Sequence, residues 1–240
     1  MKDIKDERGF NQIFKDALAT KIRKERRCDY IIDQMDNKNL TNKNILEIGC
    51  GTGEGLKYIF DKTGSNCLGI DLSEKFVSIA NKNYKNLNLN FKVADFNKQD
   101  FFLLENKSYK FDYVIGNGIL HHLYYNLDNS LINLRKLLKP EGKIIFIEPN
   151  IFNPYVALIF KIPFLRKKTF LEPDEMAFSA NYIRKKLLAT NFIICKIETK
   201  DFLLPNTPDL LINPIIKLGN LLENTPIKYI AQSIFISAKI

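Results

Sequence analysis

"ILEIGCGTGEG", Ile45 to Gly55, sets four glycines within seven residues directly behind a short apolar run. Glycine lets a ligand or another backbone approach the chain with no side chain between them. The stretch therefore reads as a buried strand turning through a ligand-holding loop into the helix "EGLKYIFDKT". Leu56, Ile59 and Phe60 of that helix repeat at helical spacing.

Outward from this junction, the order of strand and helix recurs. "CLGID" (Cys67 to Asp71) is a second strand, and Ser73 stands where it caps the helix "EKFVSIANKNYK". "LNFKVAD" ends a third strand at Asp95, and "FDYVIGN" supplies a fourth. The helix "LDNSLINLRKLLKP" follows, stopped by Pro140 and Gly142. "KIIFIEP" is a fifth strand. Beyond an irregular stretch come the helix "NYIRKKLLATN", the strand "FIICKIETKDF", the broken helical segment "PDLLINPIIKLGNLLE" and a last strand in "AQSIFISAKI". Such alternation builds right-handed crossovers and a mostly parallel, Rossmann-like α/β sheet with helices on both faces. Residues 1–43 read as an N-terminal helical segment ahead of a main domain over 44–240. Phe14, Leu18 and Ile22, then Ile31, Ile32 and Met35, keep near-helical spacing there.

Ligands of open parallel sheets lie outside the carboxyl ends of the strands. Those ends carry the glycine loop, Asp71, Asp95 and Gly116 to Gly118. The loop misses the dinucleotide pattern G-x-G-x-x-G: counted from Gly49 the third glycine falls on Glu54, and counted from Gly51 it falls on Leu56. Glu47 at the strand end and Glu54 at the helix start both disfavour an anion above the loop. The expected ligand is phosphate-free and partly cationic. Asp71 is placed to take both hydroxyls of a ribose, and Asp95 with Phe96 to meet an exocyclic amine and cover a base. A cationic adenosine derivative with an amino-acid tail fits these positions, which describes S-adenosylmethionine.

"ILEIGCGTG", "GIDLS", "VADF", "FDYVIGNGILHHL" and "LLKPEGKIIFIEPN" resemble, in order and spacing, the successive motifs of class I S-adenosylmethionine-dependent methyltransferases. "LHHL" and "LKPEGK" are most similar to the branch that includes quinone-biosynthesis and many small-molecule and sugar methyltransferases. The resemblance implies a seven-stranded sheet whose last strand is antiparallel. It also implies that Gly49 and Gly51, with Glu47 and Cys50 beside them, border the methionine portion. Asp71 would then take the ribose, Leu72 and Phe96 the adenine faces, Asp95 the adenine amine, and Asn117 the wall under the reactive methyl. Phe96 reads equally as core. Asp112, at the start of the fourth strand, reads as structural, and Cys50 as a small residue without a basic partner.

Methyl transfer from a sulfonium is an in-line displacement on an already activated carbon, so alignment and exclusion of water supply much of the acceleration. A base is needed where the acceptor must lose a proton. His121 and His122, the only histidines in the chain, fall just after the fourth strand on the active-site side. Each reads either as a base or as a packing residue. Glu148, ending the fifth strand, is a second candidate for orienting or deprotonating the acceptor. No metal site is expected. The insertion over about 150–180, with "NPYVALIFKIPFLRKK", reads as a helical lid over a hydrophobic pocket, and a peripheral membrane contact is the other reading. A hydrophobic or glycosyl small-molecule acceptor fits either.

The formal charge of +9 invites a nucleic-acid partner, but lysine outnumbers arginine 29 to 7, a bias of composition rather than of phosphate recognition. The clusters "KIRKERR" and "RKK" read as solvated helix faces. An Asn-Pro-Pro-aromatic motif of amino-group nucleic-acid methyltransferases is absent; "GNGI" stands in its place. Four scattered cysteines without metal-ligand or redox spacing predict free, mostly buried thiols, and no apolar stretch is long enough to span a membrane. The expected location is cytoplasmic.

Overall fold

The computed structural model describes residues 17–35, 39–84, 86, 88–98, 110–169 and 171–240. Phe14 of the N-terminal segment lies outside them. The chain runs α1 (Leu18–Asp33), β1 (Asn44–Ile48), α2 (Glu54–Thr63), β2 (Asn66–Asp71), α3 (Glu74–Tyr84), β3 (Leu89–Val93) and β4 (Phe111–Asn117). A 3-10 turn at Leu120–Asn126 leads to α4 (Leu127–Leu137), β5 (Leu138–Pro149), α5 (Pro154–Lys161) and α6 (Pro163–Lys168). Then come α7 (Ala180–Ala189), β6 (Ile193–Lys200), α8 (Asp209–Leu222), a 3-10 turn at Pro226–Ile230 and β7 (Ser233–Lys239).

The seven strands form one sheet in the order β3-β2-β1-β4-β5-β7-β6, with β7 antiparallel to both its neighbours. The strand order reverses between β1 and β4, so the crevice at their carboxyl ends is where a ligand fits. Successive side chains of a strand point to opposite faces, and β5 shows how this divides the core. Ile144 and Phe146 join a cluster with Leu127, Leu131 and Leu134 of α4 and Ile183 and Leu187 of α7. Ile145 and Ile147 join Ile31 of α1, Leu56 and Ile59 of α2, and Val77 and Ala80 of α3. Both faces are covered, which explains why these strands read as continuous apolar runs.

Two boundaries differ from the sequence expectation. Helix α4 ends at Leu137 and β5 begins at Leu138, so Pro140 and Gly142 sit inside the opening of the strand instead of stopping the helix. The β4–β5 register shifts between Phe111 and Tyr113 to absorb the detour. Helix α8 continues through Pro214 as one helix and is not broken.

At the amino edge of the sheet, Asp112 accepts from the Asn44 N–H at 2.9 Å and from Lys43 and Lys139 at 3.1 and 2.6 Å. Burial works against its charge, but these donors hold the carboxyl below the usual range. It fastens β1 to β4, far from the crevice. Beyond β5, Asn153 caps α5 through the Val156 N–H. Val156, Ile159 and Phe160 turn inward with Ala177, while Phe152, Leu158, Ile162 and Phe164 face out. No helix among the described residues is long and apolar enough to cross a membrane.

Candidate active site

The loop after β1 owes its shape to glycines with distinct duties. Gly49, at φ +69°, leaves no room: a Cβ there would lie 2.0 Å from Ile119 Cδ1. Gly51, at φ +53°, would meet nothing within 4 Å. This is the place where backbone is bare toward open space, as a closely approaching ligand requires. The Gly51 N–H donates to Asp71 Oδ2 at 2.8 Å, and Asp71 Oδ1 accepts from the Ser73 N–H at 2.9 Å. The end of β2 is thus tied to the loop.

Two glutamates flank the loop in different states. Glu54 meets Thr52 Oγ1 at 2.7 Å and Lys24 at 3.4 Å; burial opposes its charge, yet Lys24 and Thr52 hold it below the usual range. Glu47 is buried behind the loop, and burial, aided by Asp71 and Glu54, pushes its carboxyl up to about 8. Burial therefore weakens the anion repulsion expected of Glu47 and leaves Glu54 as the better-held charge of the pair. Glu47 Oε2 has no hydrogen-bond partner among the described residues. An ammonium-bearing ligand on the loop would find an acceptor behind it.

Cys50 packs its side chain inward against Gly69, and burial raises its thiol far above the ordinary value. Only its backbone faces the loop's ligand side, and it is no nucleophile. Leu72 follows Asp71 with 49% of its surface exposed. Asp95 Oδ1 accepts from the Asn97 N–H at 2.9 Å, bending the chain at the end of β3. Phe96 lies in the main core cluster, so an adenine face would rest chiefly on Leu72.

The other wall comes from the turn after β4. Glu148 at the end of β5 has a fully buried side chain. Its oxygens accept from the N–H groups of Ile119 (3.0 Å), Leu120 (2.8 Å) and His121 (3.2 Å), and lie 2.9 Å from His121 Nδ1. With every lone-pair direction taken up, Glu148 orients the histidine turn and does not reach an acceptor. A carboxylate can only accept here, so His121 carries its proton on Nδ1 and turns Nε2 outward.

The sequence reading missed Glu175. It lies in "LEPDEMAF", which has no periodicity or motif to mark it. The structure brings Glu175 Oε1 to 3.1 Å from His122 Nδ1 and Oε2 to 4.0 Å from His121 Nε2. The two imidazoles stand 4.1 Å apart. Burial disfavours the Glu175 carboxylate, but His122 and His121 outweigh it and hold the group below its usual value.

Arg27 was also missed, and the solvated-face reading of "KIRKERR" is corrected with it. Arg27 donates to Asn117 Oδ1 at 3.0 Å, to Asp201 at 3.2 Å and to Ser233 Oγ at 2.7 Å. Arg23, one turn earlier, is buried against Asp201 and Gln232. These arginines clamp α1 over the carboxyl ends of β4 and β6 and the amino end of the antiparallel β7, beside the Asn117 expected under the reactive methyl.

Residues 46–144 match the family model described as a methyltransferase domain. A ubiquinone biosynthesis O-methyltransferase from Actinobacillus pleuropneumoniae serotype 7 is 26% identical over 162 residues, covering 62% of this chain and 68% of that protein. The hybrid PKS-NRPS synthetase thnA of Trichoderma harzianum is 34% identical over 115 residues, 46% of this chain but only 3% of that far longer protein. Among solved structures, a SAM-dependent methyltransferase from Archaeoglobus fulgidus superposes with a TM-score of 0.64 at 19% identity, over 96% of this chain and 98% of that one. Residues 46–144 thus match a methyltransferase domain, and the sheet order and the superposition give the chain the fold of S-adenosylmethionine-dependent methyltransferases.

Proposed function

We propose that the chain transfers a methyl group from S-adenosylmethionine to an oxygen or carbon of a small-molecule acceptor. One observation carries this reading: the bare backbone at Gly51, tied to Asp71, shares the carboxyl-edge crevice with the His121, His122 and Glu175 group. Residues on hand fit the cofactor. Gly51 leaves space for the methionine portion, Glu47 Oε2 and Glu54 suit its ammonium, Asp71 suits the ribose and Leu72 the adenine. The cofactor supplies the activated methyl carbon; the chain's part is to align and dehydrate.

Methyl transfer there would be an in-line displacement of the bound cofactor's methyl carbon by the acceptor atom, sulfur keeping the electron pair of the broken carbon–sulfur bond. An acceptor hydroxyl or acidic carbon gives up its proton to the imidazole group, where Glu148 fixes the His121 ring. Helices α5 and α6 serve as the cover, and the exposed Leu158 and Phe164 on them, with Phe152 just ahead of α5, offer apolar surface to an acceptor. Incubation with methyl-labelled S-adenosylmethionine and a panel of phenolic, quinol-like and glycosyl acceptors tests the reading. Label should pass to at least one acceptor, and His121→Ala and His122→Ala should lower turnover more than cofactor affinity. Failure of folded protein to bind the cofactor would leave a methyltransferase-like binding partner in its place.

A further inference from the structure

We infer that His121, His122 and Glu175 form a site for one divalent transition-metal ion at the acceptor side of the crevice. Each of the three offers one ligand atom within 4.8 Å of the other two, and His121 Nε2 and His122 Nδ1 are the nitrogens that approach Glu175, at 4.0 and 3.1 Å. Ligand atoms about 2.0–2.2 Å from a shared ion lie roughly 3.3–3.6 Å apart, so sub-ångström shifts of side chains close the set.

The surroundings favour a built site over a chance cluster. Glu148 sits 2.9 Å from His121 Nδ1, which leaves Nε2 as the coordinating atom. That is the carboxylate–histidine pairing which fixes a metal ligand's tautomer and raises its basicity. Glu175 is pinned through its backbone, since both Arg166 terminal nitrogens donate to its carbonyl at 3.1 Å. The next N–H, of Met176, donates to the His121 carbonyl at 3.2 Å, which ties the cover segment to the histidine turn.

Two imidazoles and one carboxylate suit Zn²⁺, Mn²⁺, Fe²⁺ or Co²⁺ rather than Mg²⁺ or Ca²⁺, which take oxygen sets. Three protein ligands leave a further position open, the arrangement of a working ion rather than a structural one. His122 keeps 34% of its side chain exposed, so the cluster is open to solvent on that side. An oxygen of water or of the acceptor would take the open position and, because the ligating imidazole nitrogens then hold the ion instead of acting as the base, lose its proton to solvent beside the cation. This last role rests on the proposed methyl transfer; the binding of the ion does not.

The test uses the untagged, chelator-treated full chain without S-adenosylmethionine. Both histidines of the chain lie in this cluster, so histidine-ligated cobalt reports this site alone. Titration with Co²⁺ should produce visible ligand-field absorption that saturates at one ion per chain and is displaced by Zn²⁺. Calorimetry with Zn²⁺ should show at least a hundredfold loss in His122→Ala, and a loss of roughly 10–100-fold in Glu148→Gln. Circular dichroism checks folding; His122→Ala, at a half-exposed position, carries the decision if Glu148→Gln or Glu175→Gln unfolds. No saturable cobalt spectrum, or Zn²⁺ affinity unchanged in folded His122→Ala, overturns the proposal. Cofactor binding without metal binding sinks this inference alone, while metal binding without methyl transfer sinks the proposed function alone.

Discussion

Replacing Glu148 with glutamine tests how the histidine turn is held. The carboxylate accepts from three backbone N–H groups and one imidazole N–H. The amide oxygen of glutamine can keep the pair from Ile119 and Leu120, but its NH₂ then faces the two donors of His121. Two charge-assisted hydrogen bonds are lost at about 1.5–3 kcal/mol each, giving a cost of roughly 3–6 kcal/mol. In a domain of this size that lowers the melting midpoint by on the order of 6–24 °C. Urea unfolding of wild type and variant, with equal m-values, measures it directly. A change below about 0.5 kcal/mol would refute the reasoning, since it would mean Glu148 is not the acceptor that organises the turn.

Other consequences follow from buried charge. The Glu47 carboxyl has an ordinary value of 4.5 and is pushed up to about 8 in the fold. The native state therefore binds the extra proton between those values, and stability falls as pH rises through that window, by a ceiling of about 5 kcal/mol. Glu47→Gln should flatten this slope in melting curves taken from pH 5 to 9; an unchanged slope would contradict the assignment. Asp201 stands between Arg23 at 3.4 Å and Arg27 at 3.2 Å. Asp201→Asn leaves two cations without their partner and should cost about 3–5 kcal/mol in denaturant unfolding.

Much of this molecule was legible in its sequence because its signals are local. Apolar runs bounded by Gly49, Asp71, Asp95 and Asn117 marked four strand ends on the ligand side, and the motif order implied the antiparallel last strand that β7 supplies. Helix and strand periods located α2, α3 and α7 within a residue or two, and the start of α4. What escaped was whatever depends on distant partners. Glu175 meets His122 across 53 positions of chain, and Arg27 meets Asn117 across 90. Neither segment carries a period or motif that announces such a meeting. Pro140 and Gly142 misled for a related reason: punctuation that ends an isolated helix is tolerated in a strand whose neighbour shifts register.

Calorimetric titration of the folded chain with S-adenosylmethionine, in parallel with Asp71→Ala, asks whether the glycine loop and Asp71 hold the cofactor. The account predicts one cofactor per chain, with affinity at least tenfold weaker, about 1.4 kcal/mol or more, once the Asp71 carboxylate is gone. Wild-type protein that is folded yet binds no cofactor, or an Asp71→Ala variant that binds it equally well, would contradict the account.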